Sequence, residues 1–380
     1  MSWIIYYTIE QGEATVLGCL GDGDALTLPG EIDGCPVVRL GPGCFREPAE
    51  ETGGEELRLV QGPPPASPAG NRRLRYLTLP DRLREIGSRG LAHCSGLARL
   101  GLPPTLRVLG ERVFDHCRAL TRVDLPEGLT ELPAYTFADC RGLERLSIPN
   151  SVTAVGNQCF YNCTRLEDLA FPAALRSIGS GIFMNCSRLK RLSLPTGISL
   201  SVLLADLYQR LEVTVCSETH TTRLLFPEYA YEFEDIVMPR QFRTITYGSG
   251  GRYRECIVGE RIDLGLYDSL FRVAMLEETP ETVALLAFLR LMSPAELRPE
   301  AQTRYLDYLR DHLDALAPEV FQRGSDTELT FLLERCELEV SHLDTMLACA
   351  EAEHAHRLVS RILEQKRRMA PSGADKVFEL

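Results

Sequence analysis

A chain of 380 residues is longer than one compact core usually fills, which points to two domains or to an elongated array with a domain attached. Hydrophobic residues make up 44% and charged residues 25%, an ordinary globular balance with no apolar run long enough to span a bilayer. The net charge of -12 is unevenly spread: residues 74–215 hold 17 basic and 13 acidic side chains while the flanks are acidic, which excludes the concentrated basic footprint of a general nucleic-acid binder.

The opening decapeptide, Met1 to Glu10, has no basic leader, no long apolar stretch and no small-residue cleavage site, which predicts a chain that stays in the cytoplasm. Residues 5–45 carry short apolar runs, Leu26-Thr-Leu-Pro and Ile32-Asp-Gly-Cys-Pro-Val-Val-Arg-Leu-Gly. Residues 46–73 are acidic and rich in proline and glycine, an inserted loop enclosing a degenerate strand at Leu57 to Val60.

From Leu74 the sequence repeats itself. Units begin at Leu74, Leu97, Leu120, Leu143 and Leu166, each 23 residues after the last, and a truncated sixth begins at Leu189. Leu77, Leu100, Val123, Leu146, Leu169 and Leu192, each with a second apolar residue two positions on, have the spacing of a short strand with both side chains on one face. Proline follows in every unit, from Pro80 to Pro195, and lacks the N–H that would extend the ladder. A second apolar pair comes next, then glycine at Gly87, Gly110, Gly156 and Gly179, read as a tight turn using positive φ, with Pro133 as the exception. A leucine or phenylalanine plug (Leu91, Phe114, Phe137, Phe160, Phe183) and a closing cysteine (Cys94, Cys117, Cys140, Cys163, Cys186) complete the unit.

The chain has 13 cysteines, an odd number without any CxxC pair, so the ladder reads as small hydrophobes packed under a turn. His93 and His116 share a column with Asp139, Asn162 and Asn185, which suits turn-side polar residues. No metal and no cofactor is expected from these patterns.

The pattern L-x-x-L-x-[LI]-P, an apolar pair, [IL]-G, [AVI]-F and x-x-C closely resembles the BspA-like, treponeme-type leucine-rich repeat. Tyr7-Thr-Ile-Glu-Gln-Gly-Glu-Ala-Thr-Val and the runs up to Cys44-Phe45 resemble the irregular opening repeat of such proteins, so the resemblance covers about residues 5–200. It implies a repeat solenoid that contacts other proteins, as in bacterial surface and adhesion-type proteins, rather than an enzyme. Binding specificity would then sit on outward strand positions: Tyr76, Arg99, Arg122, Arg145, Asp168 and Arg191 in one column, and Asp124 among small residues in the next. An arginine stripe of this kind suits acidic or phosphorylated peptide, while interleaved acids also suit a solvated face.

After Pro195 the register fails, and residues 198–262 read as an end cap passing into a β-rich cap or linker at 216–262. Gln241 to Tyr247, Gly248-Ser-Gly-Gly and Arg252 to Val258 read as a hairpin with a glycine turn. From 263 to 380 helical patterns dominate: Tyr267 to Glu277, Pro280 to Met292, Glu300 to Leu316, Asp326 to Glu337, Ser341 to Glu351 and His354 to Arg368. Pro280, Pro299 and Pro318 stand where helices can begin, and the run from Leu332 to Leu363 faintly resembles ankyrin-like helix pairs.

The expectation is an α+β chain: a right-handed leucine-rich-repeat solenoid of parallel strands over 1–215, then a mostly α-helical domain. Its function reads as non-catalytic binding of another protein through the exposed solenoid face. Two alternatives stay open: an enzyme or effector with its site in the helical domain, and a cell-surface adhesin.

Overall fold

A computed structural model of the chain describes residues 3–21, 23–45, 55–58, 72–236 and 241–369. The chain forms two units, Met1–Thr221 with Ile257–Ile262, and Thr222–Cys256 with Asp263–Leu380. Among the described residues no helix is long and apolar enough to cross a membrane.

The first unit is a parallel-strand solenoid of about eight turns with roughly 23-residue spacing. It opens with β1 (Trp3–Glu10) and β2 (Glu13–Gly21), an antiparallel pair. The indole Nε1 of Trp3 donates to the Ala25 carbonyl at 2.9 Å, fastening this pair to the first coil. That coil holds β3 (Ala25–Thr27), β4 (Glu31–Ile32) and β5 (Cys35–Leu40), with β2 parallel to β5. Within the insertion, β6 (Glu55–Arg58) pairs antiparallel with β1, whereas residues 46–54 and 59–71, including the end of the expected Leu57 to Val60 strand, lie outside the described residues.

Each regular coil supplies two short strands. In chain order they are β7 (Tyr76–Thr78), β8 (Glu85–Ile86), β9 (Arg99–Leu100), β10 (Val108–Leu109), β11 (Arg122–Asp124), β12 (Glu131–Leu132), β13 (Arg145–Ser147), β14 (Ala154–Val155), β15 (Asp168–Ala170), β16 (Ser177–Ile178) and β17 (Arg191–Pro195). Along one side β7, β9, β11 and β13 pair in parallel, as do β15 and β17; along another β8 pairs with β10, and β12, β14 and β16 pair in turn. Alternation buries Leu77, Leu100, Val123, Leu169 and Leu192 between them. At the last regular coil the strand does not stop short of the proline: Pro195 is the final residue of β17, opposite Cys216.

A third hydrogen-bonded row joins the coils at their turns. His93 N–H donates to Asp115 O at 2.7 Å, His116 to Ala138 O at 2.9 Å, Asp139 to Tyr161 O at 2.8 Å and Asn162 to Met184 O at 2.9 Å. The residues that make this row adopt left-handed backbone, with φ of 64°, 62°, 55° and 60°, and Asn185 follows at 63°. Histidine, aspartate and asparagine tolerate that conformation better than most side chains, which explains the column. The glycines expected at positive φ do not adopt it. They are needed for close approach instead: a Cβ on Gly110 would lie 2.2 Å from Ser88 N, and one on Gly156 or Gly179 would lie 2.4 Å from the neighbouring coil's main chain.

Inside, Phe114, Phe137, Phe160 and Phe183 stack with successive centroids 5.1, 5.9 and 5.8 Å apart, all shielded from water. Burying each such ring contributes about 1.5–3 kcal/mol. The closing cysteines are free thiols that help to join the coils. Cys117, Cys140, Cys163 and Cys186 donate to the carbonyls of Leu91, Phe114, Phe137 and Phe160 at 3.0–3.2 Å. Burial pushes Cys117 and Cys186 up to about 12, so these thiols stay protonated and unreactive at neutral pH.

After α1 (Leu200–Leu204) the solenoid makes one more turn than its period reveals. β18 (Leu211–Cys216) lies parallel to β17 with Arg191 opposite Glu212, a step of 21 residues. The shortened step hides this coil from a search at a fixed period.

β19 (Thr221–Phe226) leads into the second unit, where β20 (Ala230–Ile236) and β21 (Gln241–Tyr247) form a hairpin that ends, rather than begins, near the glycine run. The segment after Gly248 is a helix, α2 (Gly250–Glu255), not the returning strand expected from the sequence. Gly248 ends β21 at φ 81°, and a Cβ on Gly250 would lie 2.0 Å from Pro227 O, so the glycines allow a chain reversal at close quarters. β22 (Ile257–Val258) and β23 (Arg261–Ile262) form a small hairpin that belongs to the first unit, where Ser201 N–H donates to Gly259 O at 3.3 Å.

The remainder is helical: α3 (Leu264–Ser269), α4 (Phe271–Glu277), α5 (Pro280–Met292), α6 (Pro299–Asp311), α7 (Leu313–Arg323), α8 (Asp326–Arg335), α9 (Val340–Ala352) and α10 (His356–Met369). Thr279 caps α5 and Pro280 stands at its first turn. The long helix expected over Glu300 to Leu316 is broken at His312, whose φ of -132° is not helical. Pro318 starts nothing. It sits inside α7, where burial of Leu316, Ala317, Val320 and Phe321 offsets the hydrogen bond it cannot donate. On α10, Leu358 and Ile362, four residues apart, are buried, while Leu363 is partly exposed.

The second unit buries an ion pair. The Arg290 guanidinium, fully buried, donates to both oxygens of Asp268 at 2.8 and 3.1 Å and to the carbonyls of Ser293 and Ala295 at 2.6 and 2.8 Å. Tyr305 donates its hydroxyl to the same carboxylate at 2.8 Å, tying α6 to α3 and α5.

Gly110→Ala should lower stability by about 1–3 kcal/mol through overpacking, whereas Gly101→Ala, whose Cβ meets nothing within 4 Å, should change it by less than about 0.5 kcal/mol in urea melts. Asp268→Ala should cost about 3–5 kcal/mol, because it leaves the Arg290 charge buried and uncompensated; a calorimetric scan showing a near-neutral change would contradict that role.

Candidate functional site

The outward side chains of the odd-numbered strands form two straight columns. Register places Tyr76 beside Arg99, Arg99 beside Arg122, Arg122 beside Arg145, and Asp168 beside Arg191. Asp124 lies beside Ser147 in the second column. All seven of the expected binding residues are exposed, Tyr76 at 61%. On β18, Glu212 stands opposite Arg191 in register but is buried, and the fixed period could not find it.

Charge along this face is not uniform. Neighbouring strands lie about 4.8 Å apart, so Arg99, Arg122 and Arg145 repel one another by at most about 1 kcal/mol per pair in water. Asp124 relieves the middle of the row by accepting from Arg122 Nε at 3.0 Å, and this contact raises the Arg122 pKa. Arg191 is held by Asp168 through two bonds of 2.6 and 2.7 Å, which likewise raises its pKa. At the flank, Arg165 pairs with Glu144 at 2.9 Å and Lys190 with Glu167 at 3.1 Å. Within the arginine row, Arg99 and Arg145 have no acidic partner among the described residues.

Arg145, Asp168 and Arg191 also line an open cavity of about 940 Å³ together with Arg165, Arg188 and Glu212. Its lining is charged and of both signs, which suits a polar or ionic ligand better than an apolar one. A second cavity, of about 590 Å³, lies in the second unit beside Met275, Leu276, Asp307 and His312. The His312 ring stacks on Tyr308 at 3.9 Å and its Nδ1 lies 3.0 Å from the Tyr308 carbonyl, so this ring is engaged by its own helix rather than by the nearby carboxylates.

The sequence offers no converging histidines, yet the coil stacking brings two together. His93 and His116 have ring centroids 4.7 Å apart, and Asp115 joins them. The available signal was the 23-residue spacing of the two histidines with an acid directly before the second.

The family model "BspA type Leucine rich repeat region", in 6 copies, matches residues 69–190. No curated protein matches the chain. Among solved structures, a leucine-rich repeat protein of T. pallidum is 26% identical over 51% of this chain and 71% of its own, with a TM-score of 0.35. A leucine rich cell surface protein from Faecalibacterium prausnitzii A2-165 is 20% identical over 60% of this chain and 57% of its own, with a TM-score of 0.38. A leucine-rich repeat protein from Eubacterium ventriosum is 16% identical over 47% of this chain and 50% of its own, with a TM-score of 0.30. Residues 69–190 of this chain are a BspA-type leucine-rich repeat region.

Proposed function

We propose that this chain is a non-catalytic binding protein whose solenoid holds an acidic stretch of a partner protein along the outward column from Tyr76 to Arg191. The observation that carries the reading is the contrast within one row of arginines. Arg122 is clamped by Asp124, whereas Arg99 and Arg145 on either side are exposed and have no ion pair among the described residues. Guanidinium groups fixed on a sheet lose little freedom on binding and match carboxylates with two parallel hydrogen bonds. Tyr76 at the end of the row adds a rigid amphipathic ring. The mixed-sign cavity beyond Arg145 would take the part of the partner that carries both charges.

Removing the two uncommitted cations should affect binding more than removing the clamped one. In titrations of an acidic peptide against the full chain, Arg99→Ser with Arg145→Ser should weaken affinity by about tenfold or more, or about 1.5–3 kcal/mol. Arg122→Ser should have a smaller effect, and added salt should weaken the wild type more than the double variant. Equal affinity of wild type and double variant for every acidic peptide and captured partner would refute the reading.

A further inference from the structure

The geometry points to a binding site for a divalent transition-metal ion formed by His93, Asp115 and His116 at the turn edge of the first two regular coils. Each of the three offers one ligand atom, and these atoms lie within 4.8 Å of one another, the one such group of histidine, cysteine and acidic side chains among the described residues. Ligand atoms around a tetrahedral zinc ion, with bonds of about 2.0–2.2 Å, stand about 3.4 Å apart.

The backbone under the site is fixed. His93 and His116 occupy the left-handed column at φ 64° and 62°, and the His93 N–H donates to the carbonyl of Asp115 itself at 2.7 Å. The ligands are therefore registered to each other by the main chain of the solenoid, which keeps the ordering cost of capture small. His116 is further held by Asp115, whose Oδ1 lies 2.7 Å from its Nδ1.

The repeat itself shows that this cluster is more than turn chemistry. Left-handed turns explain a polar residue at positions 93, 116, 139, 162 and 185, and asparagine serves at Asn162 and Asn185. They do not explain Asp115. Its column otherwise holds Ala92, Ala138, Tyr161 and Met184, yet here a carboxylate is only 6% exposed and sits against an imidazole. Arg112 stands 3.7 Å from the other Asp115 oxygen and supplies part of the compensating charge, while also lying 3.8 Å over the Tyr135 ring. Asp139 lies 3.8 Å from His116 Nε2, the ring nitrogen turned away from Asp115, and its other oxygen accepts from Arg141 and Asn162 at 3.0 and 3.1 Å, so it orients the ring from outside the ligand set.

Two imidazoles and a carboxylate suit Zn2+, Co2+ or Ni2+ rather than Ca2+ or Mg2+, which prefer oxygen alone. Binding releases to water any proton carried by a ligating imidazole nitrogen. Because His93 is exposed, water completes the coordination on that side.

The test uses the full chain, stripped with chelator and titrated with Zn2+ by calorimetry and with Co2+ by visible absorption. One ion per chain is expected, with His93→Asn and His116→Asn each weakening it at least about tenfold. Asparagine keeps the turn, as Asn162 and Asn185 do, so unchanged thermal melting of the metal-free variants separates lost ligation from lost fold. His93→Asn alters an exposed ring and stands as a test even if the His116 variant melts early. His354→Asn with His356→Asn should leave binding as in the wild type. Failure of the wild type to take up one ion, or wild-type affinity retained in both His93→Asn and His116→Asn, overturns the site.

Discussion

In every regular coil, main-chain groups are satisfied by the coil before and the coil after, and this requirement fixes the period. Turn N–H groups reach forward, as from His116 to Ala138 O, while N–H groups after the second strand reach back, as from Gly110 to Ile86 O. A residue added within a strand would carry its leucines to the wrong side and leave a buried carbonyl unpaired. Left-handed turn residues, narrow glycines and carbonyl-bonded cysteines all follow from holding two backbones at this separation. The phenylalanine stack fills the space that remains.

Because structural demands consume the inward columns, the outward ones are left to vary. Charge there changes from coil to coil, with arginine at three successive positions and then Asp168, while the backbone beneath does not change. The second unit is organised on other terms. Its helices are not repeated, and it buries the Arg290 and Asp268 pair with the Tyr305 hydroxyl, bonded to one another and shielded from solvent. Such a pair orders α3, α5 and α6 about one point without offering a group free to react.

The solenoid is readable from sequence because each column states one physical role several times over, and the helices are readable where a cap or a proline marks their start, as at Thr279 and Pro280. What escapes has specific causes. The coil containing β18 escapes because its step is 21 residues, and the true hairpin of β20 and β21 because Gly248 invites a turn on the wrong side of the strand. The reason for Gly110 and Gly156 is easily mistaken, since close approach and positive φ favour the same residue. At the binding face, sequence locates the arginines but not which are occupied: the clamp between Arg122 and Asp124 depends on rotamers two residues apart. The meeting of His93 with His116 and Asp115 depends on neighbouring coils, which no local motif records.

The hydrogen-bonded turn row has a consequence for how such a chain can change length. Its joints are alike from coil to coil, so an in-frame duplication of one whole unit between, for example, Cys140 and Leu143 would find on both sides the same edges that the present coils offer each other. Gene duplication can therefore lengthen or shorten the face in discrete steps, each bringing a new pair of outward side chains, without a new core having to evolve.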